Sequence, residues 1–201
     1  MCFHTQSKKT GKQLEKRFDA YFLSSEWYTP GVNNAFTFPL TPVITNDRSE
    51  VIQALHWGLI PSWAKDTSIR KSTLNARLET LDQKPSFRPS LSKRCLVLAD
   101  GFFEWKWLDP QGKSKQKYLL TLPDEEAFAF AGLWNSWTDK STGQLLQTFT
   151  IITTEANELM SEIHNTKKRM PVILHPGGEK EWLSGGELVL QNDLLQAVRH
   201  H

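Results

Sequence analysis

Leu14, Phe18 and Tyr21 recur at helical intervals behind Thr10 and Gln13, whose spacing is that of a capping box, and predict an amphipathic helix near residues 11–22. Residues 51–60 are β-branched and aromatic, and Pro61 closes them as a strand is closed. Leu74, Leu78 and Leu81 return to helical spacing and predict a short helix carrying Asn75, Arg77 and Glu79; Pro85 and Pro89 then break the chain. Residues 94–107, RCLVLADGFFEWKW, are apolar or aromatic at most positions and suit a strand, or a strand pair bent at Gly101, buried on both faces. Further strands are expected over 117–122, 127–137 and 145–153, with connections short enough to favour antiparallel neighbours. With Thr154 as cap, Ala156, Leu159, Met160 and Ile163 follow the helical template, and 170–174 resume extended character. The predicted class is α+β: one domain over residues 1–201 with a mostly antiparallel sheet core and peripheral helices.

Composition narrows the classes. The chain has 201 residues, of which 39% are hydrophobic and 23% charged, enough to bury a core and too apolar for a disordered tail. Its two cysteines, Cys2 and Cys95, build neither a disulfide framework nor a Cys-x-x-Cys zinc pair, so no metal or other cofactor is expected. The first sixteen residues lack an apolar leader, and no eighteen apolar residues run together; a soluble cytoplasmic protein without membrane contact follows as the expectation. The net charge of +2 hides an asymmetry, with 14 Lys/Arg against 9 Asp/Glu in residues 1–100 and 10 against 13 afterwards. Between Lys65 and Arg94 stand eight basic and three acidic side chains, a segment suited to a phosphate backbone or to a solvated charged face.

Cys2 carries the sharpest chemistry, because loss of Met1 would leave one residue holding both an amine and a thiol. Their ordinary pKa values, about 8 and about 8.5, leave both partly nucleophilic near neutrality. The amine can form a Schiff base with an aldehyde and the thiol can then close a five-membered thiazolidine; the bland alternative is a cysteine near a frayed end. Glu104, set among Phe102, Phe103, Trp105 and Trp107, is a candidate proton carrier whose pKa burial would raise, unless it merely pairs with Lys106 on the same strand face. His164 falls at the end of the third predicted helix, where a helix C-terminus favours imidazolium. Lys167, Lys168 and Arg169 would extend a basic surface beside it, or compensate the last helix carbonyls. Asn75 and Arg77 suit a sugar and its phosphate, and Trp57 and Trp63 offer indoles that stack on unpaired bases, although most tryptophans are core.

Taken in order, Cys2, the segment WGLIPSW from Trp57 to Trp63, Asn75-Ala76-Arg77 with Glu79-Thr80, Arg94-Cys95-Leu96 leading into Gly101-Phe102-Phe103-Glu104-Trp105, and His164 ahead of Arg169-Met170-Pro171 resemble the SOS-response-associated peptidase (SRAP) family. The resemblance implies a barrel-like sheet core and a sensor of abasic sites in single-stranded DNA, monomeric and cytoplasmic or nucleoid-associated. Its exposed Cys2 would form a thiazolidine crosslink with the ring-opened sugar, with abasic-site lyase as a side activity. By the same resemblance Glu104 manages protons at the Cys2 amine, His164 assists ring opening, Asn75 holds the sugar and the N-terminus, and Arg77 meets phosphate. "Peptidase" then means self-processing that exposes Cys2, not digestion of other proteins. The chain departs from the family pattern where Cys-Gly-Arg becomes Cys2-Phe3-His4 and where His-x-Arg-Met-Pro is stretched to residues 164–171. The usual Asn-Ile-Ala-Pro-like turn becomes Phe38-Pro39-Leu40-Thr41-Pro42. An alternative of another class is an amidohydrolase that uses Cys2 as nucleophile and its own amine as base.

Overall fold

The computed structural model describes residues 2–200. In chain order it comprises β1 (His4–Ser7), α1 (Gly11–Phe18), β2 (Tyr21–Phe22), β3 (Gly31–Asn34), β4 (Leu40–Thr45), β5 (Arg48–Trp57), β6 (Asn75–Arg77) and β7 (Arg94–Ala99). It continues through β8 (Gly101–Trp107), β9 (Lys115–Thr121), β10 (Phe128–Thr138), β11 (Leu145–Glu155), α2 (Glu158–Ile163), β12 (Arg169–Pro171), α3 (Glu179–Ser184) and β13 (Gln196–His200). The class is α+β, as the hydrophobic pattern predicts.

Two sheets form. One runs β13-β9-β8-β1-β3, and the other runs β12-β11-β10-β7-β4-β5-β2. The second closes on itself, because β11 also pairs with β5 through Thr148 opposite His56 and Phe149 opposite Trp57. β5, β4, β7, β10 and β11 are therefore a closed five-stranded barrel with no free edge among them. Both faces of these strands are buried. Val43, Leu55, Val97, Phe130, Phe149 and Ile151 share one cluster with Phe102 and Leu120 of the five-stranded sheet. Ile44, Ile52, Leu96, Leu98 and Ala131 share another with Leu14 and Phe18 of α1 and Trp182 and Leu183 of α3. This two-sided burial explains the near-continuous apolar runs of the sequence.

The bend expected near Gly101 separates strands of different sheets. Asp100 sits at the break, and its carboxylate accepts from the Lys8 and Lys9 amides and from the Gln6 side chain. That carboxylate ties the N-terminal strand β1 to the junction of the sheets.

Three local expectations are corrected. The first helix ends at Phe18, because Asp19 takes the left-handed conformation and donates its N–H to Glu15; Tyr21 and Phe22 then pair with β5. The predicted helix around Asn75 is instead a strand, β6, paired in parallel with Ile151–Thr153, followed by a 3-10 turn. Leu74 and Leu81 enter different core clusters, so their helical spacing reflects two separate burials. Finally, α2 is capped by the Asn157 side chain, which accepts from the Met160 N–H, while Thr154 lies within β11.

Close approach at the barrel gives a stability prediction. A Cβ at Gly132 would stand 2.8 Å from both the Cys95 sulfur and the Thr150 carbonyl oxygen. Gly132→Ala is expected to cost about 1–3 kcal/mol of overpacking strain, read as a fall of roughly 2–10 °C in a thermal melt. An unchanged melting temperature would contradict this packing.

Candidate functional site

β1 places Cys2. It pairs antiparallel with β8, His4 opposite Phe103, so the chain just before His4 runs beside Glu104 and Trp105. β6 supplies the second fixing point: the Asn75 side-chain amide donates to the Cys2 carbonyl at 2.9 Å. Cys2 is fully buried. Burial, and then repulsion from the Glu104 carboxylate, push its thiol well above the ordinary range.

Glu104 is only 5% exposed, and burial raises its carboxyl to about 7. The strand pair with Lys106 does not form; Lys106 instead reaches Glu162 of α2 at 2.6 Å. A carboxyl poised near neutrality can both take and return a proton under physiological conditions.

His164 caps the C-terminus of α2 and is buried. Its Nδ1 lies 2.9 Å from the Arg169 carbonyl oxygen and 3.1 Å from the Arg169 backbone nitrogen. The expected imidazolium is corrected: burial above all lowers its pKa to about 4, against the opposing hydrogen bond with the Arg169 backbone, and the Lys167 and Arg169 cations add only smaller shifts in the same direction as burial. The helix-end carbonyls do not outweigh that desolvation, so the ring is neutral at physiological pH. The stretched loop after it closes on itself, with the Lys168 N–H donating to the His164 carbonyl and Lys168 at φ 48°. Asn165 clips the loop to β8. It accepts from the Trp107 N–H at 3.1 Å and donates to the Trp107 carbonyl at 2.9 Å. Together with Lys106–Glu162, this fastens the His164 end of α2 to the strand that carries Glu104.

The structure thus gathers Cys2, Asn75 and Glu104, with His164 on the helix docked against β8. Arg77 is exposed two residues along from Asn75 and on the same strand face. Lys167 and Lys168 are exposed in the loop after His164, and Trp63 is 55% exposed, its indole N–H donating to Pro85.

Two sites expected to touch DNA are corrected. Trp57 is completely buried and stacks on Phe149, so it offers no face to a base; its indole N–H holds the Leu74 carbonyl and thereby places Asn75. Arg169 is 7% exposed, grips Glu79 through two hydrogen bonds of 3.0 and 2.9 Å, and donates to the Thr153 carbonyl at 2.7 Å. It is a strut between the Asn75 and His164 arms. The roles of Glu79 and Asn165 escape a linear reading: Glu79 stands ninety residues from its partner, and nothing in the spacing marks Asn165 as a backbone clip.

Arg169 holds the Glu79 carboxyl below its usual range. A depressed carboxyl contributes stability that is present above its unfolded pKa and lost as pH falls through the folded one. Glu79→Gln leaves a buried guanidinium without its counter-charge. Because Glu79 is itself partly exposed, the expected loss is about 1–3 kcal/mol at pH 7, shrinking in acid. Urea midpoints at pH 7 and pH 4 measure it, and equal effects at both values would contradict the assignment.

Among the described residues no group of three or more His, Cys, Asp or Glu is placed to hold a metal, and no helix is long and apolar enough to cross a membrane.

The abasic site processing protein YoqW of Bacillus subtilis is 48% identical over 164 residues, covering 81% of this chain and 70% of that protein. The abasic site processing protein HMCES of Xenopus tropicalis is 35% identical over 173 residues, covering 74% of this chain and 50% of its own length. A crystal structure of a protein from Bacteroides thetaiotaomicron superposes with a TM-score of 0.90 at 36% identity, covering 100% of this chain and 92% of the other. The SOS response associated peptidase (SRAP) family matches residues 1–201, and the chain belongs to that family.

Proposed function

We propose that this protein processes abasic sites in single-stranded DNA by covalent capture, through Cys2 once Met1 has been removed. The observation that carries the reading is the grip of Asn75 on the Cys2 carbonyl beside a buried Glu104 carboxyl of pKa about 7. It fixes the one residue able to present an amine and a thiol to the same carbon. The names of the relatives point to the same substrate class.

The ring-opened abasic sugar presents an aldehyde. The Cys2 amine adds to its carbonyl carbon, water leaves, and the resulting imine accepts the Cys2 sulfur to close a thiazolidine; aminothiol plus aldehyde give ring plus one water. Glu104 receives the proton that frees the amine and returns one to the departing hydroxyl. His164, neutral at this pH, exchanges protons with the sugar hydroxyl as the ring opens. The buried Asn75 Oδ1, without a hydrogen-bond partner among the described residues, accepts from a sugar hydroxyl. Arg77, with Lys167 and Lys168, neutralises the flanking phosphates, and Trp63 offers a face to a base.

The test is to incubate protein lacking Met1 with single-stranded DNA containing one abasic site and to resolve the product on a denaturing gel. The expected result is a shifted band whose formation is suppressed by salt and which, once formed, survives salt. No shifted band would overturn the reading.

A further inference from the structure

The face of the five-stranded sheet turned away from the core has a composition that the capture chemistry does not use. Strand alternation and register place His4 of β1, Phe103, Trp105 and Trp107 of β8, Lys115 and Lys117 of β9, and Val198 and His200 of β13 on that face. Their neighbours Phe102, Leu120 and Tyr118 point the other way, into the core cluster. Lysines lie over the rings: Lys117 Nζ is 4.1 Å from the Phe103 centroid and 5.9 Å from that of Trp105, and Lys115 Nζ is 5.0 Å from that of Trp107. Phe103 is buried beneath Lys117 and His200, so the rings open to a ligand are the half-buried Trp105 and Trp107. His4 meets Trp105 edge-on at 4.9 Å, and His200 meets Phe103 likewise at 5.3 Å.

No outward position on these paired strands is Asp or Glu. Neither lysine has a carboxylate partner among the described residues. A face meant only for water would balance its lysines with acids and would not retain aromatic rings beneath them. Aromatic platforms under unneutralised cations are what unpaired bases and their phosphates require: the base stacks on the ring while the ammonium moves to the phosphate. Burial, with Lys117 beside it, lowers the His4 pKa, so that imidazole adds aromatic surface rather than charge at neutrality.

We propose that this outward face, centred on Trp107, Lys115 and Lys117, is a second and noncovalent docking surface for undamaged single-stranded DNA. It stands on the opposite side of β8 from Glu104. The Trp107 end abuts the loop of Lys167 and Lys168 through the Asn165 clip, which gives a strand leaving the capture site a basic path onto the platform. The inference rests on the DNA reading of the preceding section, but it concerns nucleotides that do not react.

The experiment compares undamaged oligothymidylates of about five and about twenty nucleotides, lengths that bracket a single platform, by fluorescence anisotropy. It uses unmodified protein, Trp107→Ala and the double variant Lys115→Gln/Lys117→Gln, each checked for an unchanged thermal melt. The double variant is expected to lose roughly tenfold in affinity for the long oligonucleotide at low salt and little for the short one. Its log K against log salt slope should flatten by about 1.4, two cations at about 0.7 each on single strands. Trp107→Ala should weaken the long oligonucleotide without flattening the slope, and polyglutamate should not displace it. Covalent yield from a saturating short abasic oligonucleotide should be unchanged. Unaltered long-strand affinity and slope in the double variant would overturn the proposal, as would equal losses on both lengths or displacement by polyglutamate. Absence of a covalent product with the length-dependent losses intact would overturn the capture chemistry alone.

Discussion

Replacing Cys2 by alanine is expected to remove the denaturant-resistant DNA adduct completely. The variant keeps an α-amine after Met1 is cleaved, so it still forms an imine with the abasic aldehyde. What it lacks is the sulfur that converts a reversible imine into a ring. In the unmodified protein that sulfur is tethered two bonds from the amine-bearing carbon, and well-oriented intramolecular partners reach effective concentrations of roughly 10^5 M or more. Millimolar free thiol therefore should not rescue the variant. Borohydride should: reduction of the imine would restore a stable band and show that DNA binding and aldehyde capture survive the substitution. A denaturing gel with and without borohydride reads all of this. A full-strength adduct from Cys2→Ala without reductant would end the thiazolidine account. Because the buried sulfur gives way only to a smaller side chain, the fold should persist.

The second large effect is expected at Glu104. Its carboxyl, raised to about 7 by burial, is protonated below that value and cannot accept the proton of the Cys2 ammonium. Capture by the unmodified protein should therefore slow as pH falls through about 7. Glu104→Gln should slow capture by about 10^2–10^4 at pH 7.5, the usual contribution of a positioned acid–base group. Its remaining rate should follow only the amine, whose ordinary pKa is about 8. The sign of the stability effect is opposite. A carboxyl whose folded pKa is raised contributes stability that is fully present below its unfolded value and is lost as pH rises through about 7. Glu104→Gln removes that loss, so the variant should melt higher than the unmodified protein at pH 8, by a margin that shrinks towards pH 5. Single-turnover rates and thermal melts across pH 5–9 test both halves. A Gln variant that is fast, with the inflection near 7 retained, would exclude Glu104 as the proton carrier.

How far the sequence discloses this arrangement depends on the range of the interaction concerned. The helix cap at Thr10 and Gln13 forms as its spacing predicts, because capping is local: Thr10 accepts from the Gln13 N–H and donates its own N–H to the Gln13 side chain. The long strands β10 and β11 were also legible, since burial on both faces leaves an apolar signature. β6 was not. Three residues paired in parallel with a strand more than seventy positions away leave no periodicity, and the flanking leucines imitate a helix. At the site, Cys2, Asn75, Glu104 and His164 stood out by residue type and order, and the resemblance supplied their roles. Trp57 and Arg169 show the limit of such reasoning. An indole and a guanidinium suit nucleic acid equally well by type, and only burial reveals that one props up Leu74 and the other neutralises Glu79.

The central claim is that one residue, Cys2 as the chain's first, bonds to the abasic carbon through both nitrogen and sulfur. Intact mass spectrometry of the protein before and after incubation with an abasic single-stranded oligonucleotide tests it most directly. The account predicts that the reacting species lacks Met1, and that the product has the mass of this shortened chain plus the oligonucleotide less one water. An adduct on a chain that still carries Met1, or no adduct on a chain that has lost it, would contradict the account.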